Sequence, residues 1–159
     1  MHLRSFRPDD LPTLHAIDQA CFPPGISYTR WELAGFIGRH NSLTWVAEAA
    51  GAIAGFLVAH REPRDILHIV TIDVLEKWRR QRVGSQLMEA AERWARRQHL
   101  RLISLETAEH NYPAHAFYVA RGYQKVREIK GYYADGATAW VMIKELSRSA
   151  AAGPAPRNT

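Results

Sequence analysis

With a single cysteine, Cys21, in 159 residues, the chain can form no internal disulfide and no thiolate cluster around a metal. Cys21 stands in Ala20-Cys21-Phe22-Pro23 at the end of a helical pattern, where a small buried hydrophobe is the simplest reading. No window approaches the ~18 uninterrupted apolar residues of a membrane-spanning helix, so no membrane association is expected. Residues 1–20 carry Arg4, Arg7, Asp9 and Asp10 in place of an apolar signal core, and the expected location is the cytoplasm. Among the eight histidines no pair has trustworthy metal-ligand spacing, so no metal is expected. Nor do the aromatics interleave with arginines along a strand, as a base-stacking platform requires, so nucleic acid is not an expected partner.

Apolar residues make up 47% of the sequence and charged residues 23%, an ordinary globular profile. The length suits one domain with its own core, expected over residues 1–146. Residues 147–159, rich in Ala, Gly and Pro, are expected to be a disordered tail. The net charge is +5, which fits an anionic ligand without choosing one.

Alternation predicts a strand over Met1 to Phe6, then a helix capped by Asp9 or Asp10 and running to about Ala20. Phe22-Pro23-Pro24-Gly25 breaks it. Thr29 can cap a second helix whose apolar positions are Trp31, Leu33, Phe36 and Ile37. Residues 43–49 and 52–60 read as a hairpin around Ala50-Gly51. Ile66 to Val74 reads as a strand buried on both faces, and a helix from Gly84 to about Gln98 follows. A strand over 102–107, a short helix over 113–121 and strands over 123–132 and 138–144 complete the chain. A strand–helix–strand unit at the centre of hairpins implies a mixed α/β fold, a mostly antiparallel sheet containing one parallel crossover.

The most informative stretch is the loop from Trp78 through Arg79-Arg80-Gln81-Arg82 into Val83-Gly84-Ser85. A helix begins there, its first N–H groups lack intrahelical partners, and its dipole favours an anion. Gly84 lets a phosphate approach the backbone. Further on, Glu106 ends a strand and Tyr118 lies in the next helix. Acyl transfer from a thioester to an amine needs a group to take the ammonium proton and another to protonate the leaving thiolate. A carboxylate and a phenol suit those two tasks. His68 and Asp73, on the strand before the arginine loop, are rivals for the base.

The segment Arg79-Arg80-Gln81-Arg82-Val83-Gly84 resembles the acetyl-CoA signature Gln/Arg-x-x-Gly-x-Gly/Ala of the GNAT superfamily, with Arg82 where the first glycine is expected. The run from Leu105-Glu106-Thr107 to Tyr118 and Gly122 is similar to the corresponding segment of RimI-type N-terminal acetyltransferases. The resemblance implies a GNAT fold with acetyl-CoA as co-substrate. Backbone groups of Ile72, Asp73 and Val74 would meet the pantetheine arm, and Arg79, Arg80, Gln81, Arg82, Val83, Gly84 and Ser85 would hold the pyrophosphate. It further implies that Glu106 is the general base, Tyr118 the general acid beside the cofactor, and Asn111 a contact to the cofactor arm. The acceptor would be a protein N-terminus, as in the ribosomal-alanine acetyltransferases, lined by Phe22 and Tyr28 on one side and Tyr132 and Tyr133 on the other. Expected partners are thus acetyl-CoA and a peptide N-terminus, with the chain a monomer or weak homodimer. Acetylation of a small amine or a lysine, and a non-catalytic acyl-CoA-binding module, remain open on sequence alone.

Overall fold

The computed structural model describes residues 1–146; the expectation for the tail lies outside them. The chain runs β1 (His2–Ser5), α1 (Leu11–Cys21), α2 (Arg30–Ile37), β2 (Ser42–Ala49), β3 (Ala52–Glu62), β4 (Ile66–Val74), α3 (Val83–Arg97), β5 (Leu102–Ala108), α4 (Tyr112–Ala120), β6 (Gln124–Ile129) and β7 (Ala139–Glu145). Single 3-10 turns stand at Pro8–Asp10 and Glu76–Trp78. This is the mixed α/β architecture expected. Seven strands form one sheet in the order β1-β2-β3-β4-β5-β7-β6, antiparallel except for β4 and β5. One core cluster packs α3 against the sheet through Val83, Leu87, Met88, Ala91 and Ala95. A second, from Leu14, Ile17 and Leu33 of α1 and α2, covers Val46, Phe56 and Val58 on the opposite face. No helix among the described residues is long and apolar enough to cross a membrane.

Several local expectations need correction. Asp10 does not cap α1 with its side chain. Its carboxylate instead accepts from Arg4 (2.8 Å) and from the Arg7 N–H (2.7 Å), which closes the 3-10 turn before the helix. Trp31 sits on the outer side of α2 and is 86% exposed, because a helix of eight residues buries little more than Leu33. Thr29 does cap α2, accepting from the Glu32 N–H while the Glu32 carboxylate accepts from the Thr29 N–H. The last hairpin has shorter arms than its sequence pattern implied, so Tyr132 and Tyr133 lie in its turn.

β4 is not buried on both faces; burial alternates along it. Its pairing with β3 skips a residue, Ala59 facing Ile69 and Val58 facing Thr71, so Val70 forms a bulge. A bulge reverses the inside–outside phase of the strand. That reversal carries Leu67 and Ile69 into the α3 core but opposes Asp73 to Phe56 of the α1–α2 core. An uninterrupted apolar run is the sequence trace of such a shift. Pairing with β5 covers only Ile66–His68 against Leu102–Ser104, beyond which the two strands part.

Candidate functional site

The parting of β4 and β5 opens a cleft of about 1160 Å³ that runs through the sheet. Its α3 side is built from the arginine loop. Arg79 turns back to donate from Nε to the Val74 carbonyl (3.1 Å), and the Gln81 amide donates to the Lys77 carbonyl (3.0 Å). Arg80 and Arg82 take positive φ, 62° and 64°, and Arg82 is the residue from which α3 starts. The helix therefore begins one residue earlier than expected. The Gln86 N–H already bonds back to the Arg82 carbonyl. The N–H groups of Val83, Gly84 and Ser85, which precede that bond, have no intrahelical partner. Those three residues line the cleft together with Arg79, Arg80 and Arg82, whereas Gln81 does not.

Arg82, where the family pattern carries glycine, holds a left-handed conformation that a side chain makes costly by about 1 kcal/mol. Its guanidinium is mostly exposed and only 3.5 Å from Glu89, so its side chain repays little. Arg82→Gly is expected to stabilise the protein by roughly 1 kcal/mol, a rise of a few degrees in Tm. An unchanged or lower Tm in thermal melts would mean the turn is not strained.

Along β4, the Leu75 N–H bonds to Ala54 of β3, while the Val74 carbonyl accepts from Arg79 and from the Cys21 thiol (3.4 Å). Alternation then turns the backbone of Ile72 and Val74 into the cleft and that of Asp73 toward β3. Cys21 is half-buried, and burial pushes its thiol up, so it stays protonated and donates to that carbonyl.

The titratable groups lie on both sides of the opening. On the α1–α2 face, His68 Nε2 is 2.6 Å from Glu106 Oε2, which joins the expected base to one of its rivals. A carboxylate can only accept, so Nε2 carries the proton and aims the glutamate. On the opposite face Tyr118 is buried in the α3 core, its ring edge-on to Phe117 and Tyr123. Burial, with the nearby Asp73 second, pushes its hydroxyl well above the ordinary phenol range. It is therefore a proton donor at neutral pH. Glu106 and Tyr118 both line the cleft, as does Asn111, whose side chain caps α4 by accepting from the Ala114 N–H (3.3 Å).

Of the expected acceptor residues, Phe22, Tyr28 and Tyr133 line the cleft. Tyr132 does not line it and is exposed, its ring 5.0 Å from that of Tyr133 and nearly perpendicular to it. The Ala134 N–H donates to the Gly25 carbonyl (3.1 Å), joining the 22–28 loop to the β6–β7 turn. Gly25 has φ +91° and a Cβ there would stand 2.9 Å from Asp135, so glycine is required where the two loops meet. His60, Glu62 and His68 bring potential ligand atoms within 4.8 Å of one another. Both ring nitrogens of His60 are already engaged, Nε2 with the Phe36 carbonyl (2.8 Å) and Nδ1 with Arg39 (3.2 Å).

Sequence reasoning missed three features of this site. The His68–Glu106 contact joins strands 38 residues apart and leaves no local trace. The Val70 bulge was hidden in the apolar run. Asp18, a polar residue among Leu14 and Ile17 on the buried stripe of α1, was visible but not singled out.

The model of the acetyltransferase (GNAT) family matches residues 11–123. An N-alpha-acetyltransferase of Saccharolobus solfataricus is 29% identical over 156 residues, covering 91% of this chain and 92% of that protein. The N-alpha-acetyltransferase of Sulfurisphaera tokodaii is 26% identical with the same coverage. Among solved structures, Ard1 of Thermoplasma volcanium superposes with a TM-score of 0.82 at 26% identity, covering 92% of this chain and 97% of that one. The ribosomal-protein-S18-alanine N-acetyltransferase of Escherichia coli gives the same TM-score at 22% identity, covering 92% and 94%.

Proposed function

Given that the chain belongs to the acetyltransferase (GNAT) family and is an N-acetyltransferase, we propose that it transfers acetyl from acetyl-CoA to the N-terminal α-amine of a protein, an alanine-first terminus as in the ribosomal-alanine acetyltransferases. The observation that carries this reading is the cleft through the sheet. It has the start of α3, with its arginines and N–H groups free of intrahelical partners, and Tyr118 on one side, and the Glu106–His68 pair under two joined loops on the other.

The N–H groups opening α3, with Arg79, Arg80 and Arg82, suit the diphosphate of the co-substrate. The backbone of Ile72 and the N–H of Val74, whose carbonyl Arg79 and Cys21 already occupy, offer a strand edge to the amides of the pantetheine arm, and Asn111 borders its far side. On the opposite face, Glu106 takes the proton of the incoming ammonium, directly or through a water. His68 holds the carboxylate in place. An α-amine has a reference pKa of about 8, against about 10.4 for lysine, so a carboxylate suits the former far better. Tyr118 returns a proton to the departing sulfur. The bridge from Ala134 to Gly25 closes the acceptor side over the top, which favours a chain terminus entering end-on over a side chain from mid-chain. The curated relatives named N-alpha-acetyltransferase support the same acceptor.

Release of free CoA thiol on a lysine-free, alanine-first peptide tests this reading. Glu106→Gln is expected to lower kcat/KM about a hundredfold and His68→Gln about tenfold. Equal rates for Glu106→Gln and wild type would remove glutamate from the base role. Thiol release with small amines but not with the peptide would overturn the acceptor.

A further inference from the structure

Four acidic side chains of the described residues are buried: Asp10, Asp18, Asp73 and Glu92. Asp10 is met by Arg4, and Glu92 by Arg121 and Lys144. Asp18 and Asp73, 0% and 1% exposed, have no cation within ion-pair distance among the described residues. They have each other. Their carboxyl groups meet across the seam between α1 and β4, a contact that needs a proton to become a hydrogen bond.

The four oxygens determine how that bond is made. Asp18 Oδ2 accepts from the Tyr28 N–H (2.7 Å), and Asp73 Oδ1 accepts from the Thr71 hydroxyl (2.5 Å). Asp18 Oδ1 and Asp73 Oδ2 are the two left without a partner, both buried. Two ionised carboxylates in this position would repel each other at short range with nothing to offset the loss of water. One proton between the two free oxygens satisfies both at once. Each carboxyl accepts one other hydrogen bond, from the Tyr28 N–H or the Thr71 hydroxyl. Burial with the charge of Asp18 pushes Asp73 up the further, so the proton resides mainly on Asp73.

We propose that Asp18 and Asp73 share one proton and act as the positioning pair that fixes the 22–28 loop, the wall of the acceptor site, against β4. The inference rests on the acceptor reading given above. Two weaker contacts fasten the same seam, the Cys21 thiol to the Val74 carbonyl and the Tyr28 hydroxyl to the Val70 carbonyl at 3.5 Å. Gln19 of α1 also holds the Tyr28 backbone, its amide donating to the carbonyl (2.6 Å). Asp18, which accepts from the Tyr28 N–H, is the one that links that backbone through Asp73 to β4 and so sets where the ring stands in the cleft. Neither aspartate touches the reacting atoms.

Other groups face the pair from each element around it. They are His15 and Cys21 on α1, Glu32 on α2, the Tyr28 ring, Thr71 on β4, Tyr118 on α4, and Arg79 beside Cys21. Burial comes first in raising both aspartates, and for Asp73 the charge of Asp18 comes second. The folded pair thus keeps a proton that unfolded aspartates release near pH 4. Its contribution to stability is present in acid and is lost as pH rises from there toward the pair's own higher value. Above that value a second negative charge enters the seam, and the loop loosens.

The test uses the full-length protein labelled with ¹³C at the aspartate carboxyls, titrated by NMR. One aspartate resonance is expected to titrate far above the others and to disappear in Asp73→Asn, whose amide can donate to Asp18 and accept from Thr71. In peptide kinetics Asp73→Asn and Asp18→Asn are expected to keep the peptide KM within about twofold, since each preserves the bond. Asp18→Ala removes the acceptor of the Tyr28 N–H and is expected to raise the peptide KM about tenfold with the acetyl-CoA KM unchanged. Aspartates that all titrate in the ordinary range would overturn the shared proton. An Asp18→Ala variant that weakens both substrates equally, or an Asp18→Asn variant as poor as alanine, would overturn the positioning role. If wild type acetylates no peptide terminus, the acceptor reading fails by itself, and with it the positioning role. The carboxyl titration then still decides the shared proton.

Discussion

Tyr118→Phe is expected to lower kcat about a hundredfold while leaving acetyl-CoA affinity within a few-fold. The hydroxyl has no hydrogen-bond partner among the described residues, and the ring packs against Phe117 and Tyr123 at centroid distances of 5.3 and 5.6 Å. Phenylalanine fills the same volume, so no cavity opens and no buried polar group loses a partner. What disappears is a proton source. Burial holds that hydroxyl protonated throughout the physiological range, whereas a free thiol has a reference pKa of about 8.5. The phenol is thus available as a hydrogen-bond donor to the departing thiolate, and its proton can follow as the C–S bond breaks, the phenolate being reprotonated from solvent afterwards. The variant should keep its Tm and its Kd for acetyl-CoA by calorimetry, and lose turnover alone. A kcat equal to that of wild type would take Tyr118 out of the proton transfer.

Gly84→Asp is expected to abolish acetyl-CoA binding without unfolding the protein. A Cβ at Gly84 would meet its nearest neighbour, Phe117, at 3.5 Å, ordinary contact. A carboxylate in the first turn of a helix interacts favourably with the dipole, so stability should hold or rise slightly. That same charge would stand among the N–H groups and arginines assigned to the diphosphate, repelling it and competing for its donors. Gly84→Ala is the control, with binding near wild type. Retained binding by Gly84→Asp would put the diphosphate somewhere else.

The eleven helices and strands and their order were legible because each is punctuated locally. Thr29 and Glu32 form a capping box, Phe22-Pro23-Pro24-Gly25 stops α1, and Ala50-Gly51 turns the β2–β3 hairpin. The crossover from β4 through α3 to β5 followed from the strand–helix–strand pattern. The insertion of β7 between β5 and β6 did not, because pairing between distant strands has no sequence periodicity of its own. Residues on short motifs are brought together by the fold: Arg79, Arg80, Arg82, Glu106, Asn111 and Tyr118 all line one cleft. What escaped detection depends on register. The bulge at Val70 shifts β4 by one residue, and with it which side chains meet α1. Without it Asp73 would not face Asp18. Trp31 shows the opposite error, a large apolar residue assigned to the buried stripe of a helix too short to bury it.

Acetylation of protein N-termini, as proposed for this chain, can be read most directly by intact-mass analysis after incubation with acetyl-CoA and two peptide pools. One pool has free N-termini, alanine-first peptides among them, and no lysine. The other has blocked N-termini and internal lysines. A gain of one acetyl group confined to the first pool is expected, with alanine-first peptides among the products. Acetylation of the lysine pool alone, or of neither pool by protein that binds acetyl-CoA, would contradict the proposed function.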